Sequence, residues 1–127
     1  MELRGKVALV TGAGRRLGRA MAQALGERGM TLALHYHQSE AGARELAAQI
    51  EAAGGRAACF QADLTDAHAA ESLPRTVAER LGGLNVLVNS AAVMHHLSLE
   101  ETTPEQWDAI LGLNLRAVFF CTRGAAA

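Results

Sequence analysis

The chain has 127 residues, enough for one domain with a hydrophobic core of its own. Half of the residues are apolar and 20% are charged, the composition of an ordinary globular protein rather than a disordered or fibrous one. A formal net charge of −1 argues against nucleic acid as a main partner.

Strand and helix signals alternate from the start. KVALVT (6–11) is a valine-rich apolar run, as in a strand buried on both faces. It is too short for a signal-peptide core or a membrane span, and Arg4 and Lys6 flank it, so neither is expected. Leu17, Met21, Ala24 and Leu25 then recur at helical spacing, and Gly29 is placed to end that helix. TLALHY (31–36) is the second strand. Ser39 can cap a helix with Ala43, Leu46, Ala47 and Ile50 on one face, which Gly54 and Gly55 end. RAACFQ (56–61) is a third strand. Asp66 can cap the next helix, with Ala70, Leu73, Val77 and Leu81 inward. Pro74 inside it is expected to kink or split it, since an interior proline costs ~3 kcal/mol. LNVLVN (84–89) is the fourth strand. Thr103-Pro104-Glu105-Gln106 starts a helix: a capping threonine, proline at the first position and a glutamine to reach back. From Trp107 onward apolar residues crowd every side, so that helix should be covered all round, by a partner surface or by further chain. The order β-α-β-α-β-α-β-α implies an α/β fold, with parallel strands, right-handed crossovers and helices on both faces of an open sheet.

In such a sheet ligands sit beyond the carboxyl ends of the strands, and TGAGRRLG (11–18) is the first loop there. Gly12 allows a tight turn, Gly18 allows close helix–strand packing, and the helix amino end suits a pyrophosphate. Leu17 stands where G-x-G-x-x-G would need its third glycine, and no G-K-[ST] follows, so the turn is neither of those fingerprints. A lone glycine turn also occurs without a ligand. The second strand ends in LHYHQSE, whose first acid, Glu40, already lies in the next helix. An NAD site would place a carboxylate there, whereas His35, His37, Ser39 and the nearby Arg15 are donors that suit a 2′-phosphate, hence NADP. The competing reading is a solvated polar loop. Cys59 and Cys121 lie in apolar stretches and read as buried free thiols of a cytoplasmic protein, not as a disulfide or metal site. The five histidines lack metal-ligand spacing, so no metal is expected. His95 and His96, after the fourth strand, read as polar loop residues rather than catalytic ones. Trp107 reads as core or interface.

Together these stretches resemble the short-chain dehydrogenase/reductase family. TGAGRRLG resembles its T-G-x-x-x-G-x-G cofactor turn, with Arg16 at the middle glycine. ADL (62–64) resembles the loop whose aspartate meets the adenine, LVNSAA (87–92) the N-N-A-G segment, and LNLRAVF (113–119) the helix segment with the active-site asparagine. The resemblance implies the amino-terminal portion of a Rossmann-type doubly wound sheet. The turn's R-L-G and the H-Y-H-x-S segment are similar to the pteridine reductase branch, where the arginine faces the cofactor phosphates and the substrate, and H-Y-H-x-S holds the 2′-phosphate. This chain has Gln38 where that branch often has arginine, Ser90 for the second asparagine of N-N-A-G, and Val93 and Met94 where a stacking aromatic is usual. The implied cofactor-binding residues are Gly12, Arg15, Arg16, Leu17, Gly18, His35, Tyr36, His37, Ser39, Asp63, Leu64, Asn89, Ser90 and Ala91. Asn114 is the candidate catalytic residue, expected to help hold a proton-relay water.

The family also uses a Y-x-x-x-K pair as its acid. Here Tyr36 is the only tyrosine and Lys6 the only lysine, and they are not four apart. The expectation is therefore that residues 1–127 form the NADP-binding half of a reductase, with the catalytic pair in further chain. Its substrate would be a small carbonyl, enone or pterin-like molecule, and the resemblance implies a homo-oligomer, a tetramer in the family. The other expectation, from a different class, is a non-catalytic NADP-binding or partner-binding module.

Overall fold

The computed structural model describes residues 1–127. Four parallel strands, β1 (Val7–Val10), β2 (Thr31–Tyr36), β3 (Arg56–Gln61) and β4 (Val86–Val88), form one sheet in the order β3-β2-β1-β4. Val7 pairs with Thr31, Thr31 with Arg56 and Ala8 with Val86, so the carboxyl ends of all four strands meet along one edge. Between them run α1 (Arg16–Glu27), α2 (Glu40–Ala52) and α3 (Ala67–Leu81). After β4 come α4 (Pro104–Leu111), a π-helical turn over Gly112–Arg116, and α5 (Ala117–Ala126). This is the expected Rossmann-type α/β fold.

Side chains alternate across the sheet, so its two faces carry separate cores. Val7, Leu9, Ala33 and Phe60 pack with Leu73 and Val77 of α3 and Ala117 and Cys121 of α5. Ala8, Val10, Leu32 and Leu34 pack with Ala22 of α1 and Leu46 and Ile50 of α2. Leu9, Leu32, Leu34 and Leu46 are fully buried, each contributing on the order of 2 kcal/mol of apolar burial. Cys121 is buried and Cys59 half-buried, both as free thiols, and burial pushes Cys121 up to about 11.

Several ends form as the residues dictate. Gly29 and Gly54 take φ of +86° and +90° just past α1 and α2. Asp66 accepts from the amides of His68 and Ala69 at the start of α3. Thr103 and Gln106 form a reciprocal capping box on α4. Ser39, by contrast, sits at the cap of α2 without a side-chain bond. The inward face of α1 also differs: Gly18 and Ala22 are buried, while Leu17 and Ala24 are exposed. The contact of Gly18 with the turn before it sets the rotation of the helix, and Leu17 is turned outward. Pro74 does not split α3, which runs unbroken with Pro74 buried in it. Packing of Leu73 and Val77 into the core holds the helix across the missing donor. No helix is long and apolar enough to cross a membrane.

Candidate functional site

A cleft of about 520 Å³ opens at the carboxyl edge of the sheet, within the range of small-molecule sites. Its walls come from the turn after β1, the exits of β2, β3 and β4, and the π-helical turn. The Thr11 hydroxyl joins two of these walls. It donates to the Val88 carbonyl at 3.4 Å and accepts from the amides of Ser90 and Ala91 at 2.9 and 3.0 Å. Only its position at the buried end of a strand could have marked Thr11 in the sequence.

The turn itself is tight. Gly12 has φ +64°, and a Cβ on Gly18 would run into the Gly12 carbonyl oxygen. The Gly12 amide donates to His35 Nδ1 at 2.9 Å, and the Ala13 amide to the His35 carbonyl at 2.8 Å. The amides of residues 14–18 donate to no protein acceptor, so the amino end of α1 presents unpaired N–H groups and a partial positive charge. Arg16, the first residue of α1, has φ +54°, the one residue other than glycine in the left-handed region. That is the physical reason a glycine is usual at this position.

Around the 2′-phosphate candidates the structure sorts the residues. Arg15, Arg16 and His37 are exposed at the cleft, and neither arginine has an acidic partner. Ser39 lines it with its hydroxyl uncommitted to the helix cap. His35 lines the cleft at the end of β2, but its ring is engaged within the fold. It is 2% exposed, with Nδ1 taken by Gly12 and Nε2 2.9 Å from the Ala62 carbonyl, so it has no donor left for a phosphate. Tyr36 is also committed: its buried side chain donates to Glu40 Oε2 at 3.2 Å, and burial, helped by Glu40, holds the phenol above its ordinary value. Arg44 Nε bonds the same Glu40 oxygen at 2.9 Å and, with Tyr36, holds that carboxyl below its ordinary value. Glu40 is thus ionised, engaged and outside the cleft.

Asp63 is the one acid in the cleft wall. Its Oδ1 accepts from the hydroxyl and the amide of Thr65 at 2.6 and 3.0 Å, which holds the carboxyl below its ordinary value. Leu64 lines the cleft but its side chain is 3% exposed and belongs to the core. Ser90 and Ala91 line the cleft. Asn89 does not; its Nδ2 donates to Thr122 Oγ1 on α5 at 3.3 Å. Asn114, in the π-helical turn, reaches the cleft, but its side chain is doubly bonded to the Val93 backbone, accepting from the amide at 2.9 Å and donating to the carbonyl at 2.7 Å. The amide fastens the loop after β4 to the helix. His95 and His96 lie outside the cleft.

Two contributors were not singled out from sequence. A Cβ on Gly42 would run into the Gly14 carbonyl oxygen, so the first turn of α2 rests on the glycine turn. Arg19 clasps the pair, bonding Glu45 at 2.9 Å and the Gly42 carbonyl at 3.4 Å. The cleft therefore offers free amides, a helix amino end and two unpaired guanidiniums against a single acid. That donor set can hold a phosphorylated dinucleotide. It contains no tyrosine–lysine pair: Tyr36 is committed to Glu40, and Lys6 precedes β1 at the opposite edge of the sheet.

Residues 6–127 match the family model described as short chain dehydrogenase. Versicolorin reductase 1 of Aspergillus parasiticus is 40% identical over 124 residues, covering 98% of this chain and 47% of that protein. The 3-oxoacyl-[acyl-carrier-protein] reductase of Synechocystis sp. is 38% identical over 124 residues, covering 98% and 50%. The crystal structure of a short chain dehydrogenase from Burkholderia cenocepacia in complex with NADP superposes with a TM-score of 0.95 at 41% identity, covering 99% of this chain and 51% of that one. The chain spans about half the length of the relatives it matches.

Proposed function

This chain belongs to the short-chain dehydrogenase/reductase family, and on that premise we propose that it is the cofactor half of an NADPH-dependent carbonyl reductase. The observation that carries the reading is the sign of the cleft. Arg15, Arg16 and His37 stand at its rim, while Glu40, the acid that could have taken ribose hydroxyls, is drawn away by Arg44 and Tyr36. The amides of residues 14–18 would take the pyrophosphate, and Arg15, His37 and Ser39 the 2′-phosphate. Asp63 and the Leu64 backbone would border the adenine, and Ser90 and Ala91 the nicotinamide side. When bound, the cofactor supplies a hydride. The matching of relatives of about twice the length supports a tyrosine–lysine acid in further chain. The relative named as a 3-oxoacyl-[acyl-carrier-protein] reductase supports a ketone as substrate.

A pterin is the narrower proposal. It rests on Arg16, whose unpaired guanidinium lies at the cleft where T-G-x-x-x-R-L-G and H-Y-H-x-S place the pteridine reductase arginine. A non-catalytic NADP-binding module is the alternative, supported by the absence of Y-x-x-x-K from these residues. Calorimetry on the intact protein separates these readings: NADPH should bind at least about tenfold tighter than NADH, since a charge-assisted contact contributes ~1.5–3 kcal/mol. His37→Asp should narrow or reverse that ratio. Equal affinities in the wild type would refute the NADP reading. Turnover of a ketone but not a dihydropterin would dismiss the pterin, and no turnover of either in the intact protein would favour the binding module.

A further inference from the structure

We propose that His35 is a positioning residue that holds the phosphate-binding turn in register through the Gly12 amide, acting as a neutral ring in one fixed tautomer. The inference rests on the cofactor reading above, and deepens it by naming what orients the turn. An amide that donates to Nδ1 requires that nitrogen to be an unprotonated acceptor, so the ring hydrogen must sit on Nε2, which faces the Ala62 carbonyl. One side chain thus ties three consecutive strand exits together: the turn after β1, β2 itself and the loop after β3.

The consequence lies in which amides remain. Gly12 and Ala13, the first two residues of the loop after Thr11, both donate to residue 35, one to its ring and one to its carbonyl. The next unpaired amides are those of residues 14–18, facing the cleft from the amino end of α1. If Gly12 lost its acceptor, its N–H would be free to rotate and the amides after it would lose their common direction. Burial, which pushes the ring's proton affinity down, keeps the acceptor available at neutral pH.

Two amide variants separate this role from a merely structural one. In His35→Asn the side-chain oxygen falls near the place of Nδ1, keeping the Gly12 bond and losing the Ala62 bond. In His35→Gln the longer amide reaches toward Ala62 and leaves the Gly12 amide without its acceptor. Each orphans one buried backbone group, so both should lower the melting temperature to a similar degree. In the intact protein, NADPH affinity should stay within about threefold of wild type for H35N and fall about tenfold for H35Q. Equal weakening in both, or weakening that tracks the melting temperature, overturns the proposal. Should both variants fail to fold, nitrogen NMR of the wild-type ring decides: a hydrogen on Nε2 and a slowly exchanging Gly12 amide are expected, and an Nδ1–H ring overturns it. Wild-type protein that binds no NADPH sinks the cofactor reading instead, and the ring tautomer still reports on the turn.

Discussion

Arg16 keeps a backbone conformation that side chains avoid. Its φ of +54° costs roughly 1–2 kcal/mol relative to glycine, yet the position carries a long cation at the mouth of the cleft. Strain retained beside a binding surface points to a function for the side chain. Arg16→Gly should therefore raise stability slightly, because relief of strain exceeds the ~0.4–1 kcal/mol of added unfolded-chain freedom. The same change should weaken NADPH by about tenfold through loss of a charge-assisted contact. Thermal melting and calorimetry on one variant test both halves; a lower melting temperature with unchanged affinity would contradict both. His35 gives the second prediction. Burial lowers its pKa from 6.5, the Ala62 bond opposes this, and nearby His37 adds to the lowering. Asp63 beyond Ala62 and Tyr36 beside the ring are the other titratable neighbours along these exits. Because the folded ring binds a proton less readily, the unfolded chain holds more protons in the window below 6.5. The ring's stabilisation is complete above 6.5 and is lost as pH falls through the lowered value. Melting temperature should drop as pH falls below about 6.5, and His35→Asn should flatten that drop. An unaltered slope in the variant would assign it to other groups.

At the level of elements, the glycine turn and the first turn of α2 act as one unit. Gly42 lies against the Gly14 carbonyl, and Arg19 with Glu45 closes the contact from the side. Gly42→Ala should push α2 off the turn, costing about 1–3 kcal/mol as an overpacked contact, and should weaken NADPH because Ser39 and His37 move with the helix. Denaturant melts show the first effect and calorimetry the second; lost stability with intact NADPH affinity would separate α2 from the site. This contact also marks where sequence reading stops. Elements set by local chemistry were legible: the buried strand runs, β3 to the residue, the caps at Asp66 and Thr103, and the glycines that end α1 and α2. What depended on distant partners was not. The rotation of α1 follows from Gly18 meeting the Gly12 carbonyl, and the persistence of α3 through Pro74 from its core packing. The π-helical turn at Asn114 has no local sequence signal. Likewise the glycine turn is legible in the sequence, but the side-chain directions of His35, Asn89 and Asn114 are not. Which way each faces is decided by Gly12, Thr122 and Val93, far away in the chain.

For the whole molecule, α5 is fixed on its inner side and bare on its outer one. Arg123 forms a two-pronged pair with Glu71 of α3 at 2.7 and 3.1 Å, and a Cβ on Gly124 would run into the Glu71 carbonyl oxygen. Ala117 and Cys121 are buried on that side. On the outer side, from α4 through the π-helical turn into α5, Trp107, Leu111, Leu115 and Phe119 follow at intervals of four, with Trp107 60% and Leu115 64% exposed. The apolar pattern from Trp107 onward predicts cover on every side; the fold covers one side of it. Exposed apolar surface of this kind marks an interaction face. A carboxylate buried without a partner is strongly unfavourable, so if this face joins copies of the chain, Leu115→Glu combined with Phe119→Glu should shift the intact protein to smaller species by light scattering. Neither side chain reaches the sheet core, so the separated subunits should still bind NADPH. A wild-type monomer, or a double variant with the oligomeric state of the wild type, would remove this face from the assembly.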